Sequence, residues 1–123
     1  MKNISLAIGF MVLLSLTAGN VQAQDPQAAA KIRYLILSVE ALEGAKFLRN
    51  GREYDAKEAA DHLRLKLKTA GNRVKTADDF IRLCGSRSSL SGQAYRIRFA
   101  DGTAMEAEGF FRNKLKSFAA AKP

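Results

Sequence analysis

The chain has 123 residues, with 20 Lys+Arg against 12 Asp+Glu, one His, one Cys, no Trp and a formal net charge of +8. At 47% apolar and 26% charged residues it is neither disordered nor low-complexity, and its length suits one small domain. A single cysteine excludes an intramolecular disulfide framework, and together with a single histidine it excludes the common structural zinc patterns.

Residues 1–23 predict an export signal. Lys2 gives a positive start, an apolar run from Ile4 to about Ala18 follows, and Val21-Gln22-Ala23 offers small-compatible residues for a signal peptidase. The run is shorter than the roughly 18–20 apolar residues of a spanning helix, and Ser5, Gly9, Ser15 and Thr17 dilute it. Cleavage after Ala23 leaves 100 residues of the 123 and removes Lys2 from the net charge of +8, leaving +7. The expectation is a periplasmic or secreted domain, residues 24–123, with no membrane span after processing.

Asp25-Pro26 predicts a helix start, an acceptor cap followed by proline. Ala28, Ile32, Leu35, Ile36, Val39 and Leu42 recur at helical spacing up to Gly44. Asn50-Gly51, between Lys46-Phe47-Leu48-Arg49 and Arg52-Glu53-Tyr54, predicts a tight hairpin because both residues tolerate positive φ. Asp55 with Glu58 predicts a capping box opening a second helix, with Ala56, Ala60, Leu63, Leu67 and Ala70 along one stripe and Gly71-Asn72 at its end. Thr76 caps a shorter helix with Ala77, Phe80, Ile81 and Cys84 inside, closed by Gly85.

Residues 86–92 form a Ser-rich loop by composition. Strict alternation in Tyr95-Arg96-Ile97-Arg98-Phe99 predicts a strand. Asp101-Gly102 predicts a second hairpin turn, returning through Thr103 to Ala107. Phe111, Leu115 and Phe118 mark a last helix, with a fraying tail from Ala119. The plan is α+β: a small antiparallel sheet of two hairpins covered by about four helices, in one domain.

Several of these segments together resemble one bacterial family. Phe47-Leu48-Arg49-Asn50-Gly51, Tyr54, and Ala59-Ala60-Asp61-His62-Leu63-Arg64-Leu65-Lys66 carry the resemblance, and Thr76-Ala77, Phe80-Ile81, Ser86, Ser88-Ser89, Ser91-Gly92 and Tyr95 extend it. The family is that of the YfeK-like proteins, small exported proteobacterial proteins of unknown function. Ala94 departs from the pattern, where proline is expected before the tyrosine. The resemblance implies a Gram-negative envelope location and no assigned activity.

His62 is the one side chain whose ordinary pKa lies near neutrality, and it sits beside the apolar stripe of its helix, one turn after Glu58. Its plainer role is a half-buried residue tying helix to loop. A catalytic role would pair it with a loop hydroxyl, with Ser88 and Ser89 as the weak candidates, and with Asp55 or Asp61 orienting the ring. No nucleophile elbow is present. Cys84 lies on an apolar stripe, where burial suppresses its thiolate. No metal spacing, phosphate loop or cofactor motif appears.

The basic residues offer the alternative to chemistry. Arg49, Arg52, Arg64, Lys66, Arg96 and Arg98 would supply charge-assisted hydrogen bonds, Asn50-Gly51 backbone donors, and Ser91, Gly92 and Tyr95, with His62, a ligand lip. The partners this implies are an anionic envelope polymer or an acidic protein. Nothing signals specific nucleic-acid recognition. The plainer reading is a solvated basic surface. The leading expectation is therefore a non-catalytic exported binding module. A small hydrolase or transferase using His62 and a serine of 86–91 is one alternative, and a homo-oligomeric structural protein associating through Tyr34, Leu37 and Leu65 is another.

Overall fold

The computed structural model describes residues 25–121; residues 1–24, which include the segment expected to be an export signal, and residues 122–123 lie outside them. Helix α1 (Ala28–Glu40) starts two residues later than Asp25-Pro26 suggests. The Asp25 carboxylate accepts from the Gln27 amide at 2.8 Å and from Lys31 at 2.7 Å, so it closes a turn ahead of the helix instead of capping it. Strands β1 (Lys46–Arg49) and β2 (Arg52–Tyr54) meet at Asn50-Gly51, with φ of 52° and 79°. This is the left-handed pair that a two-residue hairpin turn requires.

Helix α2 (Ala56–Ala70) opens on the expected capping box: Asp55 accepts from the Glu58 amide, and Glu58 accepts from the Asp55 amide. A 3-10 turn (Gly71–Arg73) leads to α3 (Ala77–Phe80), capped reciprocally by Thr76 and Asp79, which widens into a π turn over Ile81–Gly85. Strands β3 (Arg96–Arg98) and β4 (Ala104–Glu106) are shorter than the alternation predicts, and α4 (Ala107–Ala121) follows without a loop. That helix carries the expected fraying tail in helical form as far as Ala121.

The sheet is antiparallel throughout, in the order β2-β1-β3-β4. Tyr54, Phe47, Ile97 and Met105 stand opposite one another in a single row across all four strands. With a side-chain period of two, this row faces the helices, and Glu53, Leu48, Arg96 and Glu106 form the neighbouring row on the other face. The fold is α+β with the helices on one side. Leu35, Val39, Phe80, Ile81, Cys84, Ile97 and Phe111 are sealed between the layers. Gly85 lets Phe111 close against the π turn: a Cβ there would stand 2.8 Å from the ring edge.

One sequence expectation needs correction. Tyr34 is half-buried, its ring centroid 5.3 Å from that of Phe118 on α4, so it does not join Leu37 as an exposed patch. The Ser-rich loop is ordered by hydrogen bonds that composition does not reveal. Ser86 and Ser88 are buried; Ser86 Oγ donates to the Ile81 carbonyl at 2.6 Å, and Arg87 bridges to Ala94. Among the described residues no helix is long and apolar enough to cross a membrane.

Candidate anion-binding cleft

Arg49 ends β1 two residues after Phe47, so it points to the same, helix-covered side of the sheet. Its guanidinium carbon stands 5.9 Å from the Tyr54 ring centroid, and Nη1 donates to Tyr54 Oη at 3.3 Å. His62 and Lys66 lie one turn apart on α2 and share a face. Lys66 Nζ donates to Tyr95 Oη at 2.9 Å and to the Arg87 carbonyl at 3.2 Å, its ammonium 5.0 Å from the Tyr95 ring centroid. The hairpin tip clamps the Ser-rich loop from the far side. Asn50 Nδ2 donates to Ser88 Oγ at 3.0 Å, and Ser91 Oγ donates to Asn50 Oδ1.

These contacts frame an open cleft of about 200 Å³, lined by Arg49, His62, Lys66, Ser88, Ser89 and Tyr95 together with Leu65, Thr69, Ala70, Arg73, Leu83 and Leu90. Behind it lies a cavity of about 50 Å³ whose walls include Val39, Phe47, Leu63, Ile97 and Phe111. Arg49, His62 and Tyr95 line both spaces. No Asp or Glu lines either.

Arg49 Nε and His62 Nε2 are both buried without a hydrogen-bond partner. Arginine only donates, so the missing partner of Arg49 is an acceptor. Burial first, then the charges of Arg49 and Lys66, hold the His62 imidazole below its ordinary pKa and so favour the neutral ring. A neutral imidazole with its proton on Nε2 is likewise a donor without an acceptor. Burial likewise pushes the Cys84 thiol up, against a smaller opposing pull from Lys66 and Arg73, and the side chain is fully enclosed.

The other basic candidates lie outside the open cleft, and of them only Arg96 lines the small cavity behind it. Arg64 is paired with Glu40 at 2.6 Å and Asp61 at 2.9 Å beside a separate groove, and Arg98 is paired with Glu53 at 2.7 Å on the open face of the sheet. Arg52 stacks over Tyr54, its guanidinium carbon 5.8 Å from the centroid. Arg96 is exposed opposite Glu106, and Gly51 and Gly92 serve turns at positive φ.

Among the described residues no hydrogen bond joins His62 to a serine hydroxyl. Ser88 Oγ already accepts from Asn50 and from the Leu90 and Ser91 amides. The expected orienting groups are engaged too: Asp55 and Glu58 in the capping box, Asp61 with Lys57 and Arg64. Among the described residues no three of His, Cys, Asp and Glu converge as a metal site.

Sequence reasoning missed Tyr54, Thr69, Leu83 and Leu90 as lining residues. The period-two step from Phe47 would have turned Arg49 inward, and Leu90 is the single apolar side chain in the Ser-rich loop. Its exposure of 88% is the largest among the exposed large apolar residues described, ahead of Leu65 at 59% and Leu37 at 48%.

Two hairpins under four helices, with a half-buried basic cleft free of acidic lining, define a small α+β fold. The chain belongs to the family of unknown function DUF5329, which matches residues 26–119. It is 35% identical over 95 residues to the uncharacterized protein YfeK of Salmonella typhimurium, spanning 77% of this chain and 77% of that one. No solved structure matches it.

Proposed function

We propose that the chain is an exported, non-catalytic binding module whose cleft at Arg49, His62 and Lys66 takes an anionic group of an envelope polymer or an acidic protein. The observation that carries this reading is Arg49 Nε, a charged donor buried without an acceptor. Leaving such a group unmet costs on the order of 1–3 kcal/mol or more, and an incoming oxygen anion removes that cost. The absence of acidic side chains from the lining supports an anion over a cation. A hydrolase or transferase built on His62 with Ser88 or Ser89 has less support, because the imidazole lacks both a hydroxyl partner and an orienting carboxylate. A homo-oligomer joined through Tyr34, Leu37 and Leu65 has less support since Tyr34 is used within the chain. Export rests on residues 1–23, and the mass of the protein recovered from a periplasmic extract tests it: cleavage after Ala23 leaves Gln24 as the first residue.

Binding is tested by retention on a carboxylate- or phosphate-bearing resin across a salt gradient. Arg49→Gln and Arg64→Gln remove the same charge, so the two variants separate the cleft from bulk electrostatics. The reading expects Arg49→Gln to elute at markedly lower salt than the parent, and Arg64→Gln to stay close to it. Equal shifts for both variants, or retention indifferent to salt, overturn it.

A further inference from the structure

We infer that the ligand of this cleft is the C-terminal carboxylate of a peptide or protein whose last side chain is apolar. The inference rests on the anion-binding reading above and narrows it. Arg49 Nε and His62 Nε2 are two unmet groups, and a carboxylate presents two oxygens. Nη1 is already engaged by Tyr54, which leaves Nε as the guanidinium donor buried without an acceptor. The lining also carries three leucines: Leu65 and Leu90 are exposed, beside the polar Thr69, Arg73 and Ser89, and Leu83 is half-buried. A phosphorylated sugar would leave those leucines wet, whereas a terminal residue with an apolar side chain covers them while its carboxylate reaches Arg49. Size agrees, because about 200 Å³ is below the range of roughly 300–1,000 Å³ that takes a drug-sized ligand. A free amino acid fits less well than a chain end, since its ammonium would meet Arg49, Lys66 and Arg73 and no carboxylate.

The test follows backbone amide signals of the purified protein by NMR during titration with four probes. These are N-acetyl-Ala-Ala-Leu as the free acid, the same peptide as its C-terminal amide, N-acetyl-Ala-Ala-Gly as the free acid, and inorganic phosphate. The Leu-ended acid should shift signals around Arg49, His62, Lys66 and Leu90 and bind at least about tenfold tighter than its amide. It should also bind severalfold tighter than the Gly-ended acid, and Leu90→Ser should erase that second difference. Leu90 is exposed in a loop, so its substitution leaves the core intact. Equal affinity for acid and amide, or for Leu-ended and Gly-ended acids, overturns the inference. Phosphate binding at these signals without peptide binding overturns it too, while leaving the anion-binding reading in place. If none of the probes moves these signals, both readings fall.

Discussion

His62 titrates against its surroundings. Burial, Arg49 and Lys66 all disfavour the imidazolium, so the folded chain holds its proton less tightly than the unfolded chain, where the ordinary value is about 6.5. As pH falls through that value the unfolded state takes up a proton first, and stability is lost until the folded site is protonated as well; above it the contribution is fully present. Urea midpoints measured between about pH 7.5 and 5 should therefore fall more steeply for the parent than for His62→Gln. Matching slopes would show that the ring is not held neutral by the fold. A carboxylate in the cleft reverses the local sign, so ligand should raise the His62 midpoint seen by NMR. None of this was legible from the position of His62 beside Glu58. In the fold Glu58 is taken by the capping box, and the charges that matter arrive from β1 and from the next turn of α2.

Local signals settled the elements, and longer-range contacts settled how they are finished. The Asn50-Gly51 turn, the Asp55 capping box and the Thr76 cap are each written within four residues, and each forms as the sequence implies. The π turn after α3 has no such signature. It exists where Gly85 lets Phe111, 26 positions along the chain, press against the backbone. The order of the Ser-rich loop was hidden for the same reason, because Asn50 reaches Ser88 across 38 residues. The cleft depends on that clamp, so composition alone could place its candidates but not assemble them.

Thr76 shows how much a local signal carries here. Its hydroxyl accepts from the Asp79 amide at 3.0 Å and opens an α-helical segment of only four residues. A segment so short has no stability of its own, yet together with the π turn it runs into it delivers Phe80, Ile81 and Cys84 to the core. Thr76→Ala should cost about 1 kcal/mol in urea denaturation, and Thr76→Ser should restore most of it. A loss of a few tenths or less would mean that packing alone sets this helix start.

Across the whole molecule, the sequence conveys that the chain is basic but not which charges stay available. Arg64 finds Glu40, Arg98 finds Glu53 and Arg112 finds Asp78 at separations of 24, 45 and 34 residues. What remains in the cleft is therefore a product of topology. Stability is global in the same sense, because a lone cysteine leaves the domain to stand on its core. Phe111 is the centre of that core, 1% exposed, with ring centroids 6.0 Å from Phe80 and 5.7 Å from Phe110. Truncating a buried phenylalanine to alanine costs about 3–5 kcal/mol, out of the roughly 5–15 kcal/mol that holds a domain of this kind. Cys84 reports the loss without denaturant. Enclosed and with its thiol pKa raised, it reacts with a thiol reagent only when the fold opens. Where reclosing outruns labelling, the rate follows the open population, so Phe111→Ala should label Cys84 at least about a hundredfold faster than the parent. Leu115→Ala, at a half-buried position on the same helix, should change the rate far less. Parent protein that labels as fast as the unfolded chain would show that Cys84 is open to solvent and that the layers are not sealed around Phe111.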